Sequence, residues 1–261
     1  MRFVTYNVNS IRPRLPRLVE ILAEYQPDAV CVQETKSTAA AFPHPELAAA
    51  GYVAADHSAG RWAGVAILAR SDVGVEDVAC GLPGEPDPTQ ARWIEATVGG
   101  VRVASVYVPN GRTVGSPEFV AKLRFLEAMA ARVAQPGPVP AFVAGDMNVC
   151  PSDLDVWDPA AVHGGTHVTT DERARLAAVM ARGFVDAFRH LDSRSPGFTW
   201  WDYRAGHFHK GFGLRIDLAL VAEPLAAGLR AAKVDREFRK LKRVPGAKAS
   251  DHAPLIVDLA D

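Results

Sequence analysis

Asp146 and Asn148 stand directly after an apolar run, VPAFVAG, that covers residues 139–145. The length of this run and its Val and Ala content are typical of a buried strand. A buried strand that ends in a carboxylate and an amide, two positions apart, presents oxygen atoms at one edge of a core. Such oxygen atoms suit a hard divalent cation such as Mg²⁺ or Mn²⁺ better than thiol ligands would.

Comparable polar residues interrupt or follow five other strand-like runs: Asn7 and Asn9, Glu34 and Lys36, Tyr107 and Asn110, Asp217, and Asp251 with His252. Each of these, taken singly, is more often part of a turn or a helix cap. Asp217 is the exception, because it lies within the apolar run LRIDLAL, where an unpaired carboxylate is costly and His252 is a natural partner. Six strand ends with groups of one chemical type therefore predict a single shared site.

These residue types suit a metal-assisted attack of water on a phosphodiester. That reaction needs a metal ion, a carboxylate that takes the proton of the water, and donors that stabilise the developing charge. An Asp–His pair orients the imidazole and stabilises its charged form, which can face an anionic oxygen. The sequence has neither a G-x-S-x-G nor a G-x-x-x-x-G-K-[ST] motif, which disfavours a serine hydrolase and a P-loop protein.

The charge of the chain is balanced overall but uneven along its length. The net charge of the 261 residues is −1, so composition alone indicates no polyanionic partner. Residues 230–248 nevertheless hold eight Lys or Arg residues, and residues 146–158 hold four Asp. Basic flanks around an acidic centre fit a metal site that receives a phosphate-bearing ligand, although solvated surface charge is the simpler interpretation of this feature alone.

Cysteine usage and the N-terminus predict a cytoplasmic protein. Cys31, Cys80 and Cys150 are far apart and include no C-x-x-C pair, so reduced thiols are expected. No segment approaches the ~18 consecutive apolar residues of a membrane span. The first ten residues enter a strand-like pattern at once, which leaves no room for a secretory signal.

The pattern of elements predicts one α/β domain. Strand-like runs cover residues 2–8, 29–34, 64–70, 101–108, 140–145, 214–221 and 253–259, and helical patterns cover 13–26, 116–133 and 170–183. Several strands follow one another without helices, at 52–78 and 92–108. Packed mixed sheets are therefore favoured over a doubly wound parallel sheet.

Seven motifs, in order along the chain, resemble those of the exonuclease III family of apurinic/apyrimidinic endonucleases, within the endonuclease/exonuclease/phosphatase superfamily. They are NVNSIRPRL (7–15), QETK (33–36), YVPNGR (107–112), GDMNVCPSDLDVW (145–157), TWWDYR (199–204), GLRIDLAL (213–220) and SDHAPL (250–255). The resemblance implies a four-layer α/β sandwich, with two packed mixed β-sheets flanked by helices. It also implies that residues 1–261 form a single catalytic domain.

The resemblance assigns roles to the residues of the predicted site. Glu34, with Asn7 and Asp251, would hold the divalent metal, which is Mg²⁺ or Mn²⁺. The catalytic set would be Tyr107, Asp146, Asn148, Asp217 and His252. Within it Asp146 orients or deprotonates water, Asn148 positions that water, and His252, held by Asp217, contacts the scissile phosphate. Whether Asp146, Tyr107 or His252 activates the water stays open, as does the number of metal ions.

Two further groups follow from the same resemblance. Trp200, Leu214 and Ile216 would line a pocket for an abasic sugar extruded from the duplex. Arg92, Asn110, Arg112 and Lys122 stand where relatives contact DNA phosphates. The histidines of HGGTH (163–167) and of RAGHFHKGFG (204–213) are expected to face solvent or DNA.

The implied function is a Mg²⁺-dependent phosphodiesterase of DNA base-excision repair. It would incise double-stranded DNA 5′ to an abasic site to leave a 3′-hydroxyl. It would also act as a 3′–5′ exonuclease, clear blocked 3′ ends, work as a monomer and associate with the nucleoid. The alternative is a non-catalytic nucleic-acid-binding homologue, which should have lost part of the catalytic set. A phosphatase of inositol phosphates or a sphingomyelin hydrolase should lack the TWWDYR and GLRID motifs.

Overall fold

The computed structural model describes residues 1–260, and over these residues the chain forms two six-stranded sheets with helices outside them. The strands are β1 (Arg2–Asn7), β2 (Ala29–Gln33), β3 (Tyr52–His57), β4 (Val65–Arg70), β5 (Glu76–Cys80), β6 (Trp93–Val98), β7 (Val101–Tyr107), β8 (Phe142–Asp146), β9 (Phe184–Asp186), β10 (Asp217–Ala222), β11 (Leu229–Val234) and β12 (Leu255–Leu259). The helices are α1 (Ile11–Tyr25), α2 (His44–Ala49), α3 (Pro117–Val133), α4 (Pro159–Val162), α5 (Thr170–Met180), α6 (Ala187–Leu191), α7 (His207–Lys210) and α8 (Glu223–Ala226).

Both sheets are mixed. The first has the strand order β11-β12-β1-β2-β4-β3, and the second has the order β5-β6-β7-β8-β10-β9. One parallel pair lies near the middle of each sheet, β1 with β2 and β7 with β8. Consecutive antiparallel strands, β3 with β4 and β6 with β7, need no crossover helix. This confirms the predicted packed mixed sheets and rules out the doubly wound alternative.

Three apolar layers separate the four layers of the sandwich. The central one lies between the sheets, where the Phe3 and Phe142 rings stack with centroids 4.3 Å apart. The outer ones lie under α1 and α2 on the first sheet and under α3 and α5 on the second. Burial of apolar surface in these layers is the main stabilising contribution to such a fold.

Strand alternation decides which polar residues enter the space between the sheets. Phe3 of β1 faces the central layer, so Thr5 and Asn7, at the same parity, face it too. In β8 the same holds for Asp146, which continues the face of Phe142. The strands therefore carry apolar residues through most of the central layer and polar residues at one end of it.

The helices predicted at 116–133 and 170–183 form as α3 and α5. The Ser116 hydroxyl accepts a hydrogen bond from the Phe119 N–H at the start of α3, and Pro117 is its first residue. Thr169 and Glu172 form a capping box at the start of α5. Among residues 1–260, the structure contains no helix whose length and apolar character would let it cross a membrane.

Candidate active site

The ends of five strands meet at one rim of the central layer. Asn7 is the last residue of β1, and Glu34 follows β2. Tyr107 and Asp146 end β7 and β8 and are register partners, while Asp217 opens β10 opposite Asp146. Because these pairings are fixed by backbone hydrogen bonds, the side chains of the predicted catalytic set are held without help from a ligand.

Gly145 allows the close approach of the strand that carries Asp146. A Cβ atom at this position would lie 1.9 Å from the carbonyl oxygen of Val106, inside the neighbouring strand β7. The backbone also has φ +155° here, a conformation that disfavours side chains. No larger residue fits without moving the strand, and with it Asp146.

Several residues of the rim adopt the left-handed backbone region, which is uncommon for residues other than glycine. Glu34 has φ +50°, Lys36 has φ +48° and Asn148 has φ +50°. Each such conformation costs free energy, and clusters of them are typical of functional sites. The turns after β2 and β8 thus direct Glu34 and Asn148 back toward the rim.

The centre of the site is a group of acidic oxygen atoms. Glu34, Asp146 and His252 each offer a ligand atom, and these atoms lie within 4.8 Å of one another. The Asn7 amide lies between the two acids, since its Nδ2 donates to Glu34 Oε1 at 2.8 Å and to Asp146 Oδ2 at 2.9 Å. Lys36 Nζ pairs with the other Glu34 oxygen, Oε2, at 2.6 Å.

This donor set fits a hard divalent cation, because two carboxylates face one small volume with only nitrogen donors between them. Glu34 and Asp146 are the residues that would hold it, and Asn7 is adjacent to both. The Asn7 Oδ1 accepts from the Asn9 N–H at 3.0 Å, so Asn7 would ligate a cation only after its amide rotates.

Asp251, predicted as a metal ligand, lies outside this acidic group. Its two oxygens accept from Asn9 Nδ2 at 2.9 Å and from Trp200 Nε1 at 3.0 Å. It connects to Glu34 through Asn9 and Lys36, whose Nζ donates to Asn9 Oδ1 at 2.7 Å. In this structure Asp251 is therefore a partner of Asn9 and Trp200, and Asn9 and Lys36, which the sequence analysis placed at the shared site without a role, link it to Glu34.

The Asp146 carboxylate is buried and poorly compensated. Burial, together with the charge of Asp217, raises the pKa of Asp146 from 3.8 to about 8. Its Oδ1 accepts from the Asn148 N–H at 2.9 Å, and Asn148 Nδ2 in turn donates to the Val108 carbonyl at 2.9 Å. A carboxylate with a pKa near neutrality is suited to exchange a proton with water.

His252 and Asp217 form the predicted pair, with His252 Nδ1 2.8 Å from Asp217 Oδ2. Burial lowers the pKa of His252, but the Asp217 charge and hydrogen bond outweigh it, and the pKa rises from 6.5 to about 10. The imidazole is therefore charged at neutral pH. Its Nε2 lies 3.8 Å from Asp146 Oδ2, so this N–H faces the acidic centre.

Tyr107 presents a neutral phenol. Burial raises its pKa well above the ordinary value, and the charges of Glu34 and Asp146 raise it further. The Arg92 guanidinium lies over its ring, 4.6 Å from the centroid, and donates to the Tyr107 carbonyl at 3.2 Å. Of the two roles considered for Tyr107, a hydrogen-bond donor agrees with this high pKa and a phenolate base does not.

Lys122, predicted to contact DNA, is wrongly assigned, because its side chain is fully buried and ion-paired with the buried Glu172. Its Nζ donates to the carbonyls of Asn148 at 2.5 Å and Asn110 at 3.2 Å. Lys122 thus holds together the two loops that carry these asparagines. His167, expected to face solvent or DNA, is half-buried, with Nδ1 2.5 Å from the same Asn148 carbonyl.

The remaining predicted DNA contacts lie on one side of the site. Arg92, Asn110 and Arg112 line a cavity of about 560 Å³ that also includes Tyr107. Arg112 is largely exposed and pairs with Glu118 at 3.3 Å. Asn110 Nδ2 donates to Asn148 Oδ1 at 3.2 Å, so it contacts the site directly.

The structure brings the three predicted pocket residues together. Trp200 and Leu214 exchange backbone hydrogen bonds, and Leu214 and Ile216 pack in a small apolar cluster with Cys150 and Val156. Leu214 is 7% exposed and Ile216 3% exposed, because this cluster is also covered by Trp157, Val162 and Val168. An extruded sugar would have to displace part of this cover.

Comparison with known proteins gives one consistent family. Residues 4–252 match the Endonuclease/Exonuclease/phosphatase family. The chain is 30% identical to exodeoxyribonuclease III of Haemophilus influenzae, over 98% of each chain. Its fold is similar to that of NExo from Neisseria, whose structures are described as a 3′–5′ exonuclease and as a 3′ phosphatase bound to a product DNA hairpin (TM-score 0.94, 35% identity, 100% of both chains). It is also similar to an AP endonuclease from Archaeoglobus fulgidus (TM-score 0.91, 32% identity, 99% of both chains).

Proposed function

The chain belongs to the endonuclease/exonuclease/phosphatase family, as a nuclease of the exodeoxyribonuclease III and AP endonuclease type, and from this premise we propose a metal-dependent phosphoesterase that clears and shortens DNA 3′ ends. The observation that carries this proposal is the acidic centre of Glu34 and Asp146 facing the charged His252. Incision 5′ to abasic sites is the second candidate function.

The metal would be held by Glu34 and Asp146, with Asn7 after rotation of its amide. When bound, Mg²⁺ or Mn²⁺ neutralises phosphate charge and lowers the pKa of water. The protein's own side chains carry out the other steps. The proposed ion is the one that a site built from carboxylate and amide oxygens accommodates best.

Asp146 accepts the proton of the attacking water, and Asn148 positions that water. The new bond forms between the water oxygen and phosphorus, the P–O3′ bond breaks, the departing 3′ oxygen takes a proton from solvent, and Asp146 returns its proton to solvent. His252 donates from Nε2 to a phosphate oxygen, and Tyr107 donates its phenol proton to the same group as a hydrogen bond. Asp217 keeps His252 charged and oriented.

The P–O3′ bond is common to all the activities considered. Removal of a 3′ phosphate, release of a 3′-terminal nucleotide and incision 5′ to an abasic site each leave a 3′-hydroxyl after this bond breaks. One set of side chains is therefore sufficient for the three reactions. The three reactions differ in how the DNA on either side of the scissile phosphate must fit the protein.

The cover over Leu214 and Ile216 supports removal of a 3′ phosphate ahead of incision at an abasic site. A terminal 3′ phosphate carries no sugar on its far side, whereas an abasic site inside a duplex requires extrusion of one. The likeness to NExo, a 3′ phosphatase, supports the first function, and the likeness to the A. fulgidus AP endonuclease supports the second.

The test compares three labelled duplexes: one with a 3′ phosphate at a nick, one with an undamaged 3′-hydroxyl, and one with an internal abasic-site analogue. Each is incubated with Mg²⁺, with Mn²⁺ or with EDTA. We expect metal-dependent release of phosphate and nucleotides, with slower incision at the analogue. DNA binding without cleavage of any duplex would instead support the non-catalytic homologue.

A further inference from the structure

An arginine cluster lies beside the active site, between α1 and the segment 236–248. Arg14, Arg17 and Arg239 form no ion pair with a carboxylate anywhere in residues 1–260. The three charges are close enough to interact, since the pKa of Arg17 is lowered by burial and further by the charges of Arg239 and Arg14. Unpaired buried cations are costly, so each of them requires a physical explanation.

Backbone carbonyl groups satisfy the buried guanidinium of Arg17. Its fully buried guanidinium donates to four carbonyl oxygens of the segment, those of Phe238, Leu241, Ala247 and Lys248, at 2.9–3.1 Å. These bonds fix a stretch that contains only short 3₁₀ turns, Arg236–Arg239 and Leu241–Arg243. Arg17 therefore holds the position of Arg239, and four of its five N–H donors are used by the segment itself.

The buried guanidinium of Arg239 has no such acceptors among residues 1–260. Arg239 is 7% exposed, yet its guanidinium donates no hydrogen bond to any residue among 1–260, and its Nε is enclosed without a partner. The guanidinium carbon lies 4.8 Å from the Tyr203 ring centroid and 5.3 Å from that of Phe208. Aromatic faces stabilise the charge from one side, but they do not satisfy in-plane N–H donors.

Arg14 flanks the same tyrosine from another direction. Its Nη2 donates to the Tyr203 hydroxyl at 3.1 Å, and that hydroxyl donates to the Ala249 carbonyl at 2.8 Å. Tyr203 is 49% exposed, so a ligand can reach this residue from solvent. Two guanidinium groups are thus held against one rigid, half-exposed ring.

This surface adjoins the active site through residues 249–251. Ala249, which accepts from the Tyr203 hydroxyl, is two residues before Asp251, and the charge of Asp251 acts on the pKa of both Arg239 and Tyr203. A DNA strand whose phosphate sits at Asp146 and His252 continues in both directions from that point.

We propose that Arg14 and Arg239, on either side of Tyr203, bind a backbone phosphate of the DNA strand whose neighbouring phosphodiester enters the active site. This inference rests on the proposed function, because its ligand is the substrate strand. A phosphate oxygen accepts from the unpaired guanidinium N–H groups and supplies the missing negative charge. Such a contact positions the strand without reading its sequence.

The test is a salt titration of binding between a nicked duplex with a 3′ phosphate and the Asp146→Asn protein, in which turnover does not interfere. Arg14→Gln, Arg239→Gln and the double variant are compared with Lys242→Gln. Lys242 is the matched control, since it is an exposed cation of the same segment without an ion pair among residues 1–260. Thermal unfolding of each variant checks that it is folded.

We expect each arginine variant to weaken binding about tenfold and to reduce the slope of log K against log salt. The double variant should reduce that slope by about 0.9, the value for one lost phosphate contact, because both guanidinium groups contact the same phosphate. Lys242→Gln should change affinity less than about twofold. Arg239→Lys keeps the charge without the planar donor geometry, so its slope should stay near that of the parent while its affinity falls.

Equal losses in the Lys242 and arginine variants would overturn the proposal, because only the general positive field would then matter. Unchanged slopes would overturn it as well. If Arg239→Gln does not fold, the affinities and salt slopes of Arg14→Gln and Arg239→Lys test the proposal instead. Absence of DNA binding by the unmodified protein would contradict the proposed function itself, whereas normal binding with unaffected variants would contradict this inference alone.

Discussion

Arg215 and Asp217 are two residues apart on the chain, yet they belong to buried clusters of opposite kind. Arg215 pairs with Asp155 at 2.6 Å and with Asp186 at 2.7 Å, and Arg189 pairs with the same Asp155 at 2.6 Å. That cluster has two cations for two carboxylates. Asp217 belongs to the active site, where Glu34, Asp146 and Asp217 are three carboxylates that face the cations Lys36 and His252.

The pKa values of Asp155 and Asp146 reflect this difference in charge balance. Burial raises the pKa of Asp155, but the charge and hydrogen bond of Arg215 outweigh it, so the net pKa lies below the ordinary value. At Asp146, burial and the charge of Asp217 outweigh the opposing charge of His252, and the pKa rises to about 8. Matched buried charges hold a loop in place, whereas unmatched carboxylates leave a requirement for a cation that the protein itself does not supply.

The largest effect we expect comes from Asp146→Asn. Loss of the group that accepts the water proton should lower the single-turnover rate by about 10³-fold or more, with DNA binding retained. The fold should be at least as stable, because a buried carboxylate whose pKa is raised by burial and by Asp217 is removed. Rapid-quench kinetics and urea unfolding measure the two quantities. A rate within tenfold of the unmodified protein would remove Asp146 from its proposed role.

Asp155→Asn should lower the stability of the fold and leave the chemical rate nearly unchanged, the reverse of Asp146→Asn. Asp155→Asn leaves Arg189 and Arg215 with a single carboxylate, Asp186, and should lower the free energy of unfolding by about 3–5 kcal/mol. The chemical rate of the folded fraction should change little, since Asp155 touches no reacting group. A large rate loss at unchanged stability would show that the two clusters are not separate in function.

A smaller effect is expected at the metal site. Glu34→Gln keeps the shape of the side chain but removes one negative charge from the proposed ligand set. The Mg²⁺ concentration for half-maximal rate should rise at least about tenfold, while binding of DNA in EDTA stays unchanged. An unaltered Mg²⁺ titration would place the metal elsewhere.

A difference of at most about 1.4 kcal/mol per pH unit should appear in the pH dependence of stability in EDTA. The raised pKa of Asp146 means that the folded state binds the extra proton, so its carboxylate lowers stability as pH rises from 3.8 toward about 8. The stability gain from Asp146→Asn should therefore grow between pH 5 and pH 8.

The lowered pKa of Asp155 has the reverse sign. Its contribution is fully present above the unfolded pKa of 3.8 and is lost as pH falls through the folded value. The deficit of Asp155→Asn should be constant from pH 5 to pH 8 and shrink below about pH 4. Urea unfolding of both variants across this range measures the two trends, and parallel trends would contradict the contrast between the clusters.

Sequence reasoning was successful where one chemical feature implied one position. The apolar run before Asp146 and the cap at Ser116 predicted β8 and the start of α3, and both form as expected. An aspartate inside LRIDLAL required a partner, and His252 is that partner. The resemblance to the exonuclease III family, carried by seven ordered motifs, is confirmed by the family match.

The sequence did not predict the partners of two residues whose types have two ordinary uses. Lys122 lies on α3 at a position that is compatible with phosphate binding, but the buried Glu172 of α5 faces it across the fold. Asp251 adjoins His252 in sequence, yet its oxygens are engaged by Asn9 and Trp200 rather than by the acidic centre. Nothing local to Lys122 or Asp251 could have revealed those partners.

The sequence by itself determined the strands, their polar ends and the chemical class of the site, because side-chain period and residue type are local properties. Only the tertiary structure decided which charges are matched, that Arg239 is buried without a carboxylate, and that Leu214 and Ile216 are covered. Those properties depend on burial and on partners tens or hundreds of residues away. Both the pKa of a carboxylate and the availability of a guanidinium are set by that environment.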